Sequence, residues 1–337
     1  MLKKVKKERF IWLDIMITLI TLELMAYFYY GIRAVVLAVL CVVVALASEI
    51  ISLRLMNRRF SADDLSCTSD ALILSLMLPA VMDYKIAVIA NVFAVVAAKN
   101  VFGGRKNIIF SPAAAAYVFI AASWSKQLLL YPLPHTKYGV LDSASNLVNS
   151  ASHDFNLTGK IDHTDFEILL GNFSGPCGSV SILLLIVAAI ILILRKDISV
   201  GAFIGSLLGL TLLAIIAPAS NSVTDSVKYT LSSNMVIFAS VYIISDKRIA
   251  PKRNYYAFFY GYFIAVASYV LLLTTAKENA IVIVSVLAAP IALGFKNLEK
   301  KIELTDKSDI LIDEKKSENQ EQIIDEAARS EKEDNND

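Results

Sequence analysis

The most constraining feature of this sequence is the way its apolar residues are grouped. They fall into blocks of roughly 13 to 23 residues, separated by short segments that hold almost all of the charge. A helix needs about 20 mostly apolar residues to cross the hydrocarbon of a bilayer. Lipid offers the backbone no hydrogen bonds, so only helices or closed barrels span it. Continuous apolar runs are not the alternating pattern of a barrel strand. With 56% hydrophobic residues in 337, a soluble fold could not hide the apolar surface. The pattern predicts an all-α polytopic membrane protein.

About ten spans are expected, near residues 10–30, 34–56, 69–82, 85–98, 110–125, 179–194, 199–217, 231–244, 255–275 and 279–295. The first block is long for a signal core and no small-residue cleavage site follows it, so it reads as a retained anchor. The domain plan is a basic amino-terminal segment (1–9), a first membrane half (10–125), a long polar loop (126–178), a second membrane half (179–295) and a charged tail (296–337). The tail's composition predicts a solvated or disordered segment.

Lysine and arginine set the orientation. Lys3, Lys4, Lys6, Lys7 and Arg9, Arg58 and Arg59, Lys99, Arg105 and Lys106, Arg195 and Lys196, Lys247, Arg248, Lys252 and Arg253, then Lys296, Lys300 and Lys301 all fall on one side. That side is expected to be the cytoplasm of a bacterium, with both termini there and the long loop outside its inner membrane. Five spans per half is an odd number, so homologous halves would lie in opposite orientations. The third and eighth segments are short, and Pro79 lies in the third. Short segments at corresponding positions point to inverted repeats around a central site.

Several residues are candidates for chemistry. Asp70 opens the third segment, either as an interfacial charge or as an acid beside an ion or cofactor path. Glu23 and Glu49 lie in the first two spans. Glu23 is expected to be the more buried, as an ion-pathway carboxylate or as half of an interhelical pair. Gly103-Gly104 lets backbone approach a ligand or another helix. Beside it, Lys99, Arg105 and Lys106 could meet a phosphate, although the topology alone accounts for their charge. His135, His153 and His163 share the long loop without the spacing of a zinc site, so no metal is expected. Cys41, Cys67 and Cys177 read as unlinked. No nucleophile triad, Walker loop or dinucleotide fingerprint is present, nothing supports nucleic-acid binding, and no residue is assigned a catalytic role.

Ser69-Asp70-Ala71-Leu72 leads to Leu76-Met77-Leu78-Pro79. Lys99-Asn100-Val101-Phe102-Gly103-Gly104 is followed by Ile109-Phe110-Ser111-Pro112-Ala113. Leu170-Gly171-Asn172-Phe173-Ser174-Gly175 precedes the sixth span, and Ser245-Asp246 with Pro251 follows the eighth. Across about residues 10–295, this set resembles the RnfD family, the D-type membrane component of the Rnf complex, which is the ion-translocating ferredoxin:NAD oxidoreductase of bacterial membranes. The same family includes NqrB, the corresponding component of the sodium-pumping NADH:quinone oxidoreductase.

The resemblance implies a ten-span flavoprotein subunit relaying electrons within a multi-subunit pump embedded in lipid. It implies flavin mononucleotide (FMN) esterified through phosphate to a threonine of the external loop. That threonine would fall at Asn146 in Val140–Leu147, and an amide cannot form the ester. Ser143 and Ser145 are the remaining hydroxyls there. Lys106, Ile108, Ser111, Ser179 and Lys247 also stand at or near departures from the family pattern. A non-covalent or absent flavin is favoured over a covalent one. By resemblance, Asp70, Lys99, Gly103, Gly104 and Asp246 would neighbour a retained flavin. The expected function is the membrane subunit of an Rnf-like complex that couples ferredoxin:NAD electron transfer to Na⁺ or H⁺ movement. The alternatives are a flavin-free scaffold or ion-conducting subunit, and an independent small-solute transporter.

Overall fold

The structure is a computed structural model. It describes residues 2–142 and 146–305, and the side chains of residues 1–10, Arg105 and Lys106 lie outside that description. Among the described residues, three helices are long and apolar enough to cross a membrane: α1 (Leu2–Tyr30, apolar from Ile11), α2 (Ile32–Leu55) and α13 (Asn254–Thr275). Two broken pairs raise the number to five. One joins α11 (Val223–Ser232) to Val236–Ile244, bent by 54°. The other joins α14 (Ala280–Leu287) to α15 (Ala289–Thr305). The remaining apolar helices are shorter: α3 (Ser66–Met77), α4 (Tyr84–Val92), α5 (Pro112–Ser123), α9 (Ile182–Leu194) and α10 (Val200–Ile216).

Local chemistry sets these boundaries. α3 stops where Pro79 forbids the preceding residue a helical conformation, and Leu78 is extended. Asp83 caps α4 by accepting from the Lys85 amide, and α4 runs on as a π-helical turn, Phe93–Asn100. Ser111 accepts from the Ala114 amide, and Pro112 occupies the first turn of α5, where a missing N–H costs nothing. α12 (Val236–Ala239) likewise continues as a π-helical turn, Ser240–Ile244.

Packing follows the logic of a fold in lipid. Leu24, Phe28, Val39, Leu194, Leu208 and Val270 are exposed, while alanines, glycines and serines face inward. α10 and α13 make the closest approach. A Cβ on Gly205 would stand 2.2 Å from the Phe258 carbonyl oxygen, and one on Gly261 2.2 Å from that of Ala202.

Contacts between turns define two faces. On the basic face, Arg58 donates to Gly103 O at 3.2 Å, Arg195 pairs with Asp14 at 2.7 Å, and the Ser199 amide donates to Ser245 O at 2.8 Å. On the long-loop face, the Tyr138 amide donates to Tyr30 O at 3.0 Å, Tyr84 to Val140 O at 2.7 Å, and Asn156 to Asn234 at 2.7 Å.

The long loop has its own structure: α6 (Ser125–Leu128), α7 (Ala151–Thr158), α8 (Asp165–Leu170), and an antiparallel pair of β1 (Tyr131–Pro132) with β2 (Leu147–Val148). That strand pair departs from a purely helical chain. α11 is a second departure, because its polar residues read as loop and give no continuous apolar run. The chain forms one compact unit through Ala292 and a second from Leu293, helical to Thr305. The tail beyond Thr305 lies outside the described residues.

Candidate functional site

Part of the set that carries the resemblance, Asp70, Lys99 to Gly104 and Asp246, gathers on the basic face around the start of α3. Asp70 is 3% exposed. Arg248 grips it with both terminal nitrogens, at 2.6 and 3.1 Å, while its Nε donates to Asp246 at 2.8 Å. One guanidinium therefore joins an acid of the first half to an acid of the second. The planar fork suits this, offering two parallel bonds to one carboxylate and a third to another. Asp70 is thus a buried, paired acid.

Lys99 lies at the end of the π-helical turn after α4 and is 1% exposed. Its Nζ donates to Glu49 Oε1 at 2.8 Å, and Asn100 Nδ2 donates to Glu49 Oε2 at 3.1 Å. Cys67 lies within electrostatic reach of Lys99, Glu49 and Asp70, so the two ion clusters flank a single helix start. Gly103 and Gly104 follow with φ of +106° and +72°, values that favour glycine. The Gly103 carbonyl is held by Arg58 and the Gly104 Cα lies beside Asn100.

Two expectations need correcting. Glu49, not Glu23, is the more buried carboxylate: Glu49 is 1% exposed because its side of α2 faces the π-helical turn, whereas Glu23 is half-buried. Glu23 keeps one distinctive atom, since its Oε2 is buried with no hydrogen-bond partner, near Cys41 and Cys177. Lys99, in turn, is not available to a phosphate, because its ammonium is enclosed with Glu49. The three cysteines are buried and free.

A further buried acid stands on the long-loop face. Glu278, in the turn between α13 and α14, is 4% exposed. It accepts from the hydroxyls of Tyr131 and Ser150, which tie the long loop to the membrane helices. Burial raises its carboxyl above the usual range, and the two hydroxyls offset only part of that. Sequence reasoning missed it because a charge in a short turn between spans looks like an ordinary interfacial residue. The available signal was positional: Lys99-Asn100 follows the fourth span as Glu278-Asn279 follows the ninth.

Asn146, where the family's attachment threonine is expected, offers no hydroxyl for a phosphoester. Asn146 sits in a left-handed turn (φ +55°) just before β2 and carries an amide, while Ser143 and Ser145 lie outside the described residues. Asp70, Lys99 and Asp246 are committed to ion pairs.

A sequence model described as the NQR2, RnfD, RnfE family matches residues 2–292. The chain belongs to this family. Among its relatives, the D-type component of the Na(+)-translocating ferredoxin:NAD(+) oxidoreductase complex of Acetobacterium woodii is 28% identical over 188 residues, 55% of this chain and 58% of that protein. The D-type component of the ion-translocating oxidoreductase complex of Methanosarcina acetivorans is 24% identical over 247 residues, 73% of this chain and 74% of that protein. The protein of the same name from Shewanella frigidimarina is 32% identical over 111 residues, 32% of each chain. The aligned part thus spans less than two thirds of the Acetobacterium and Shewanella relatives.

Proposed function

We propose that this family member is the D-type membrane component of an Rnf-like complex, helping couple electron transfer between ferredoxin and NAD to Na⁺ or H⁺ movement. The family match over residues 2–292 carries the reading. The names of relatives from Acetobacterium and Methanosarcina support the complex and its ion-translocating partner subunits.

The reading includes ten crossings in two inverted sets of five, with both termini in the cytoplasm. α3, broken at Pro79, and Val236–Ile244, broken from α11, support it as the short third segment of each half. The grouping of basic turns on one face supports the orientation. Such a protein supplies a low-dielectric scaffold, and any cofactor carries the redox chemistry.

Asn146 favours a second reading, a flavin-free scaffold or ion-conducting subunit, because it stands where the family's attachment threonine is expected. Flavin content separates the two. The protein is purified from its native membrane with its co-purifying partners, denatured, and assayed for flavin fluorescence on the polypeptide and in the supernatant. Flavin on the chain would assign Ser143 or Ser145 as the attachment residue. Flavin released into the supernatant would make the cofactor non-covalent. No flavin in either fraction selects the flavin-free reading. Solute uptake by the isolated chain in liposomes, without partners, would refute both in favour of a transporter.

A further inference from the structure

We propose that the groove between α1 and α9 seats one acyl chain of an anionic phospholipid from the basic-face leaflet, with the headgroup phosphate on Arg195. The proposal stands apart from the electron-transport reading and needs no partner subunit. The starting point is Asp14, in the apolar block of α1 and 6% exposed. An acid there is costly unless paired. Its partner is Arg195, which follows the last residue of α9 and donates to it from Nε at 2.7 Å. That bond holds the guanidinium by one corner. The two terminal nitrogens make no hydrogen bond among the described residues, and the side chain is 54% exposed. A guanidinium fixed in this way presents its open edge as a fork for two phosphate oxygens.

The surroundings favour an anion. Lys196 and Lys247 are exposed, and Lys247 Nζ donates to the Lys196 carbonyl, which brings the second basic turn beside Arg195. The two acids nearby are withdrawn. Asp14 is buried against Nε, and Asp197, 3.8 Å from the same nitrogen, is 4% exposed. The charge that meets the headgroup region is therefore positive, and clustered Lys and Arg at a membrane surface attract anionic lipid.

The groove leads away from this fork into the apolar part of the fold. Ile17 and Thr21 of α1 and Leu184, Val187 and Ile191 of α9 line it, with Arg195 at one end, and its volume is about 160 Å³. Thr21 donates its hydroxyl to a carbonyl of its own helix, so the walls ask for no hydrogen bond from an occupant. From Leu184 to Arg195 the helix rise is about 16 Å, and one leaflet of hydrocarbon is about 15 Å thick. A chain lying there stays within one leaflet while its headgroup reaches the fork. A partner helix fits less well. Helices in lipid approach each other over small residues, and here the branched side chains of Ile17, Val187 and Ile191 stand out from the walls.

The test uses the full chain in detergent, stripped of lipid, and follows retention of a first lipid by native mass spectrometry. The probes are dioleoyl phosphatidylglycerol and zwitterionic dioleoyl phosphatidylcholine. Phosphatidylglycerol should be retained at a concentration about tenfold lower than phosphatidylcholine. D14N/R195Q removes the fork without stranding the buried acid and should bring the two probes level. V187F narrows the groove, leaves the ion pair intact and should weaken retention of both lipids. In native membranes, a photoreactive benzophenone side chain in place of Val187 should label lipid. Equal retention of the two probes by the unaltered chain, a preference that survives in D14N/R195Q, or unchanged retention in V187F would overturn the proposal. Cross-linking to a polypeptide instead of lipid would also overturn it and assign the groove to a partner subunit.

Discussion

The pair Lys99–Glu49 offers the sharpest test of what the basic-face residues do. Both side chains are 1% exposed and their charged atoms are 2.8 Å apart. K99M removes the ammonium and leaves Glu49 with only the Asn100 amide at 3.1 Å. Removing one partner of a buried pair costs about 3–5 kcal/mol, because the other charge is stranded away from water. At about 2 °C per kcal/mol for a chain of this size, that is a fall in Tm of roughly 6–10 °C. E49Q strands the ammonium and should cost a similar amount. The double variant K99M/E49Q removes both charges and should recover most of the loss, since well-packed neutral replacements of a buried pair are often close to neutral. The chain supplies its own reporter: Cys41, Cys67 and Cys177 are buried and free, so a thiol-reactive fluorophore reads unfolding directly. Single variants within about 1 kcal/mol of wild type, or a double variant whose loss equals the sum of the singles, would refute the pairing argument. In that event Lys99 would return as a candidate for contacting an anionic ligand.

Three other outcomes are expected. G205A should lower stability by about 1–3 kcal/mol in the same assay, because its new Cβ meets the Phe258 carbonyl oxygen, a backbone atom that cannot swing aside; G294A, with open space around it, should not. In the turn between α9 and α10, burial and the neighbouring Asp14 push the Asp197 carboxyl from its usual 3.8 up to about 6. The stability it contributes is therefore fully present below pH 3.8 and lost as pH rises through about 6, so the stability of wild type relative to D197N should fall across that interval. Glu278 has the same sign, since its carboxyl is raised by burial. E278Q should flatten the loss of stability above the ordinary carboxylate range, which a pH series of unfolding midpoints would show; an unchanged slope would mean that the acid is hydrated.

The helical class and the positions of most apolar helices were legible because each long apolar block folds as a helix. Element boundaries were legible where a single residue decides them, as at Pro79 and at Ser111-Pro112. Partnerships were not. Asp70 and Arg248 are joined across 178 positions of sequence, and nothing local to either residue announces the other. α11 was hidden for a different reason: its polar, amphipathic sequence reads as loop when length of apolar run is the criterion. Glu49 ranks below Glu23 on sequence because position along a span says how deep a residue lies, not which way its helix face points.

Arg248 also bears on how this fold can move. It bonds Asp70 of the first half and Asp246 of the second with one rigid plane of atoms, and Arg195 reaches from the turn after α9 to Asp14 on α1. Opening the basic face along this seam would strand Asp70, while Asp246, two residues away on the same turn, would keep Arg248. The long-loop face is held by several separate contacts, among them Asn156 with Asn234, Tyr138 with Tyr30, and the Lys228–Asp165 ion pair at 2.7 Å. Separation of α3 from the turn after Ser240–Ile244 would therefore be resisted first at Arg248.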